Sequence, residues 1–185
     1  MSTDPSFRFK IATEDWELEA IHRLNYRTFV EELPQHPPNA EQRLVDKFHA
    51  ENTYLICLAD RTLAGMLAVR DRRPFSLDLK LPDLDRHLPA GRRVCEVRLL
   101  AVEKNFRHGQ VFPGLLNLLA QYARGPGYDL AVISGTVRQQ KLYAHLGFVP
   151  FGPLVGTAPT LFQPMSLTLE TFAERCRAIL SAPPV

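Results

Sequence analysis

Arg93-Val-Cys-Glu-Val-Arg-Leu-Leu-Ala-Val102 is the stretch on which the fold turns. Its aliphatic and β-branched residues predict a strand, in which successive side chains point to opposite faces. Glu96 and Arg98 then share a face with Val94 and Leu100, and two charges on so apolar a strand require partners. They can pair with each other or with a neighbour, closing one end of a sheet. They can also do chemistry, with Glu96 taking a proton, directly or through water, and Arg98 holding a carboxylate. The strand runs into a loop at Phe106-Arg-His-Gly109, and Leu115, Leu116, Leu118 and Leu119 then form the apolar stripe of a helix that Gly125-Pro-Gly127 stops.

Upstream, residues 7–12 alternate as a strand, and Thr13 with Glu14, Asp15 and Glu17 reads as the start of a helix reaching about Glu32. Pro34, Pro37 and Pro38 end it, and a shorter helix is expected within 40–48. Residues 54–59, the turn Asp60-Arg61 and residues 63–70 form a hairpin, and 71–91 is a long loop with one helical turn. Downstream follow a strand over 130–134, a helix over 137–146 closed by Gly147, strands over 148–151 and 163–169, and a final helix opened by Thr171 with Phe172, Cys176, Ile179 and Leu180 on one face. The order βααβββαβαββ predicts an α/β (α+β) fold, a mixed sheet covered by helices on both faces. One domain is expected over 1–170, followed by a C-terminal helix and Pro-rich tail over 171–185.

The chain has 185 residues, 45% of them hydrophobic, enough for one substantial core. Lys+Arg 22 against Asp+Glu 20 leaves +2, so no global field favours nucleic acid. Cys57, Cys95 and Cys176 are odd in number and lack metal-ligand spacing, no signal segment is evident, and no run nears the roughly 18 apolar residues of a membrane span. A cytoplasmic protein without a metal is expected. The arginines bracketing 71–91 are interspersed with aspartates, which predicts a mixed charged surface more than a dock for an acidic partner.

The second decisive segment is Lys141-Leu-Tyr-Ala-His-Leu-Gly-Phe148. Together with the 93–102 strand it resembles the GCN5-related N-acetyltransferase (GNAT) superfamily, over roughly residues 7–169. The resemblance implies a mostly antiparallel sheet with a splayed central strand pair. It implies an acyl group carried from a coenzyme A thioester to a small-molecule amine by direct attack. Tyr26-Arg-Thr-Phe-Val-Glu-Glu32, the loop from Arg73 to Pro82, and Phe151-Gly-Pro-Leu-Val155 are similar to the N-acyl amino acid synthases and acyl-homoserine-lactone synthases. That likeness extends the donor to longer acyl-CoA or acyl-carrier protein.

The resemblance implies roles residue by residue. Tyr143 would protonate the departing thiolate, since a thiol at pKa ~8.5 and a phenol at ~10 are close enough for the transfer; otherwise it is a half-buried aromatic on an amphipathic helix. Backbone N–H groups of Leu100, Ala101 and Val102 would hold the carbonyl oxygen where the strand bulges. Arg107, His108, Gly109, Gln110, Val111 and Phe112 would meet the donor's phosphates, although Gln110 and Phe112 stand where the superfamily places glycines; otherwise they form an ordinary strand-to-helix turn. Arg27 and Phe29 would help close the substrate pocket, and Phe29, Phe75, Leu99 and Phe112 are candidate walls for a long acyl chain. The alternative is a silent domain of this fold that binds an acyl thioester or another small ligand to regulate.

Overall fold

In the computed structural model, which describes residues 5–158 and 160–181, eight strands form one sheet. They are β1 (Phe7–Ile11), β2 (Thr53–Ala59), β3 (Thr62–Arg70), β4 (Val94–Val102), β5 (Leu130–Thr136), β6 (Val149–Pro150), β7 (Val155–Thr157) and β8 (Thr160–Thr168). The order is β1-β2-β3-β4-β5-β8-β6, with β7 paired to β8. β4 and β5 run parallel, and the long connection a parallel pair needs contains helix α2 (Val111–Arg124). Their ladder is short. It pairs Val94, Cys95 and Glu96 with Leu130, Ala131 and Val132 and stops there, although both strands continue. This is the splayed pair expected of the fold.

The chain packs as two compact units, Met1–Val69 with Leu99–Leu118, and Arg70–Arg98 with Leu119–Val185, so β4 changes unit after Arg98. In the first unit, helix α1 (Asp15–Tyr26) begins where the buried Glu17 carboxylate accepts the backbone N–H of Thr13 and Glu14 at 2.8 and 3.1 Å and the Lys10 ammonium at 2.7 Å. These bonds satisfy donors that a helix start leaves over. Ile21 and Leu24 of α1 pack with Ile56, Leu58, Met66, Ala68 and Ala101. The start of α2 lies on the other face: a side chain at Gly65 would come within 2.8 Å of Val111 and 3.3 Å of Leu115. Met66 and Gly65, being neighbours on β3, point to opposite faces, so helices cover both.

In the second unit, Phe75, Leu77, Leu81 and Leu84 of the 71–91 loop bury themselves with Val132 and Val155. Helix α3 (Gln140–His145) ends at Gly147, whose φ of 97° is the left-handed conformation expected there, with Thr171 and Arg175 of helix α4 (Leu169–Ser181) against it. The one helical turn foreseen in the loop is Leu84–His87.

Several expectations are corrected. Residues 40–48 form no helix; Leu44 N–H bonds the His22 carbonyl, Tyr26 Oη the Asn39 carbonyl and Asn25 Nδ2 the Leu44 carbonyl, so this segment spends its hydrogen bonds on α1. The first helix does reach Glu32, but Arg27–Glu32 is π-helical. β7 was not foreseen, and β5 and β8 are longer than expected. The 182–185 tail and the side chains of Cys176, Ile179 and Leu180 lie outside the described residues. Among the described residues, no helix is long and apolar enough to cross a membrane.

Gly114 sits on α2 against the Phe9 ring, where an added methyl would lie 2.0 Å from the nearest ring carbon. Gly114→Ala should lower stability by about 1–3 kcal/mol, the usual cost of overpacking. Phe9→Leu should recover part of that loss in the double variant, a coupling that urea melts of the four proteins would measure.

Candidate active site

On the second unit, β4 presents Glu96 with no exposed surface. Its Oε1 accepts the Ser76 hydroxyl at 2.8 Å and the Leu77 N–H at 2.9 Å; its Oε2 accepts the Ser76 N–H at 2.8 Å and stands 3.4 Å from Arg98 Nε. Glu96 and Arg98 are therefore ion-paired, one of the two arrangements open from the sequence. Ser76 and Leu77 are partners that sequence reasoning missed, being 20 and 19 residues away in an irregular loop. The rest of the loop is also tied internally. Arg73 pairs with Asp78 and Asp85 and stacks 4.7 Å from the Phe75 ring, while the buried Arg70 donates from Nε to the Pro74 carbonyl at 2.9 Å. Asp83 and Asp129 stand 3.5 and 3.7 Å from Arg86 and Arg92. The interspersed charges thus form a mixed surface.

Tyr143, on α3 of the same unit, lies over β5 at Gly135, where a built Cβ would come within 2.8 Å of its ring. Only a glycine lets the ring approach so closely. The phenol donates to Gln139 Oε1 at 2.9 Å, and Phe148 meets the ring edge-on at 6.2 Å. Burial raises the phenol's pKa above its ordinary value, partly offset by the Thr136 hydroxyl. Tyr143 therefore stays protonated as a donor at neutral pH. His145 is exposed.

Burial also pushes the thiols of Cys57 and Cys95 up, to about 11 and about 12. Such thiols are poor nucleophiles, which disfavours an acyl-cysteine intermediate. Among the described residues, no group of three or more His, Cys, Asp or Glu is placed to hold a metal ion.

The first unit holds the other candidates. Leu99 has a φ of 55°, a left-handed backbone uncommon for any residue but glycine, and it distorts β4 immediately before Leu100, Ala101 and Val102. Ala101 is buried, and Leu99 and Phe29 pack against the same core. In the turn that follows, His108, Gly109 and Gln110 are exposed, Phe112 is partly buried, and Val111 has no exposed surface. Phe75, suggested as an acyl-chain wall, belongs to the core of the second unit. Arg27 is ion-paired with Glu103, and Arg107 with Glu32. Those two carboxylates were not singled out from the sequence. The only signal for Glu32 was its place at the acidic end of the first helix.

No curated protein sequence matches the chain. Among solved structures, a CoA-dependent acyl-homoserine lactone synthase, BjaI, determined with MTA, is similar with a TM-score of 0.78 at 18% identity, covering 97% of this chain and 92% of that one. FeeM, an N-acyl amino acid synthase from uncultured soil microbes, has a TM-score of 0.73 at 16% identity, covering 92% and 96%. An N-acetyltransferase described as putative, from Lactobacillus plantarum, has a TM-score of 0.64 at 14% identity, covering 89% and 99%. These likenesses establish the GNAT-like fold. The family model of the N-acyl amino acid synthase FeeM matches residues 20–169, so the chain belongs to that family and is an N-acyltransferase that moves an acyl group from a thioester to an amine.

Proposed function

We propose that the amine nitrogen attacks the thioester carbonyl carbon directly, that the C–S bond breaks, and that Tyr143 gives its phenolic proton to the departing sulfur. The observation that carries this assignment is the phenol itself, held over the bare Gly135 backbone and kept protonated by burial. Proton transfer from it to a thiolate is only mildly uphill. The backbone of Leu100, Ala101 and Val102 would hold the carbonyl oxygen, and the left-handed Leu99 supports this by distorting the strand at their head. The turn from Arg107 to Phe112 would meet the phosphates of coenzyme A or the single phosphate of a carrier-protein arm. Arg27 and Phe29 would border the substrates. The donor is proposed to carry a medium or long acyl chain, and the acceptor to be an amino acid whose carboxylate Arg98 holds.

Glu96 takes a different part in this proposal from the base foreseen in the sequence. Both of its oxygens already accept bonds from Ser76 and Leu77, and no part of it is exposed. It serves as a positioning residue, fixing Arg98 and the 74–88 loop on the acceptor side. The amine then enters in its neutral form, having lost one proton to water, and the proton that its nitrogen sheds as the amide forms passes through water to restore the Tyr143 phenol.

Three experiments test these roles. Tyr143→Phe should lower kcat about 100-fold, the lower range of general acid catalysis, with KM for the acyl donor nearly unchanged. The assay follows free thiol released from acetyl-CoA and from long-chain acyl-CoA or acyl-carrier protein with a panel of amino acids; unchanged turnover where chemistry limits the rate would remove Tyr143 from the mechanism. In wild type, because the phenol's pKa is raised, no alkaline loss of kcat attributable to it should appear below pH ~10. Glu96→Gln turns an amide NH2 towards N–H donors and should cost about 2–4 kcal/mol of stability. Faster hydrogen exchange at the Ser76 and Leu77 amides is the expected signature, and an unaltered exchange pattern would count against the positioning role.

A further inference from the structure

The charged side chains around the turn after β4 form two ion-paired groups within the first unit. Arg107 donates from Nε to the Val102 carbonyl at 2.9 Å and from Nη2 to both oxygens of Glu32, at 3.0 and 2.8 Å. Lys104 Nζ stands 3.8 Å from the same carboxylate, and Arg27 is ion-paired with Glu103. Glu32 arrives from the end of the π-helical stretch and Glu103 from the residue after β4. Arg107 is thus already occupied. Its guanidinium holds a carboxylate, and a guanidinium uses similar hydrogen-bonding geometry for carboxylate and for phosphate.

A phosphate reaching Arg107 and Lys104 has either to displace Glu32 or to sit beside a second anion. The backbone is less bare than in a glycine-rich turn: Gln110 and Phe112 carry side chains, Val111 is buried against Gly65, and Gly109 is the glycine between Arg107 and Phe112. The Arg107–Glu32 pair is itself breakable, since its side chains are 38% and 22% exposed, open to water and to an incoming anion. Competition at such a pair shifts affinity by a modest factor and leaves binding possible.

We infer that Glu32 is a specificity-determining residue, a resident carboxylate that competes with the donor's phosphates for Arg107 and Lys104 and so weakens coenzyme A thioesters relative to thioesters on an arm without phosphate. The inference rests on the donor turn proposed above. Glu32 touches neither the reacting carbonyl nor the sulfur in this scheme, so its effect falls on donor KM and leaves kcat alone.

The test compares one acyl group on coenzyme A and on phosphate-free pantetheine, with wild type, Glu32→Gln and Glu32→Asp. Glu32→Gln should lower KM for acyl-CoA about two- to fivefold, the range spanned by exposed ion pairs, and leave KM for acyl-pantetheine and both kcat values unchanged. Raising the salt concentration should shrink the difference. Glu32→Asp, too short to keep both bonds, should shift KM the same way by less, and it carries the comparison if Glu32→Gln fails to fold. Equal KM changes for both donors, or a higher KM for acyl-CoA alone, would overturn the role of Glu32 while leaving the transferase assignment standing. Turnover of acyl-pantetheine with KM for acyl-CoA no better in any variant, and no inhibition by adenosine bisphosphate, would overturn the donor turn as well.

Discussion

A carboxylate with no exposed surface must be matched bond for bond, and Glu96 imposes that condition on the stretch of chain from residue 70 to residue 98. Removing an ion from water costs several kcal/mol even after relaxation, so the donors around it have to arrive together. They come from Ser76, Leu77 and Arg98. Fixing Ser76 and Leu77 also fixes their neighbours, and Phe75, Leu77, Leu81 and Leu84 are the residues that build the apolar core beneath the loop. The polar tether and the hydrophobic cluster are therefore one arrangement. A connection as long and irregular as 71–91 is otherwise hard to hold in a single conformation.

The elements legible in the sequence are those whose pattern is local. β2 and β3 are continuous apolar runs joined by a polar turn, and α2 carries a leucine stripe, so local pattern and final packing agree. Residues 40–48 were misread because their composition suits a helix while their backbone groups are claimed by α1 through Leu44, Asn39 and Tyr26. β7 is three residues long, too short for any period to show. The π-helical turn over 27–32 leaves no composition signal either.

The candidate site was legible as residue types and illegible as pairings. Tyr143 and the following Gly-Phe were recognisable from one segment, but the glycine that lets the ring in, Gly135, lies on another strand. Glu96 and Arg98 were seen as unusual charges, yet which of their possible partners they take depends on a loop whose path no local rule dictates. Arg107 reads as a phosphate-binding candidate because its carboxylate partner, Glu32, lies 75 residues away. A cationic side chain near a helix start looks the same in sequence whether it faces solvent, a phosphate or a carboxylate of its own chain.

The contact between Phe9 and Gly114 has a consequence for the order in which the protein is made. The first unit is assembled from two separated stretches, Met1–Val69 and Leu99–Leu118, so β1, β2, β3 and α1 can exist while one face of their sheet still lacks α2. During synthesis that face, including the bare backbone at Gly65, remains uncovered until residue 118 has left the ribosome, and closing the gap costs loop entropy before any contact rewards it. The nascent chain thus exposes this sheet face to misassociation for as long as its hairpin is present and its covering helix is not.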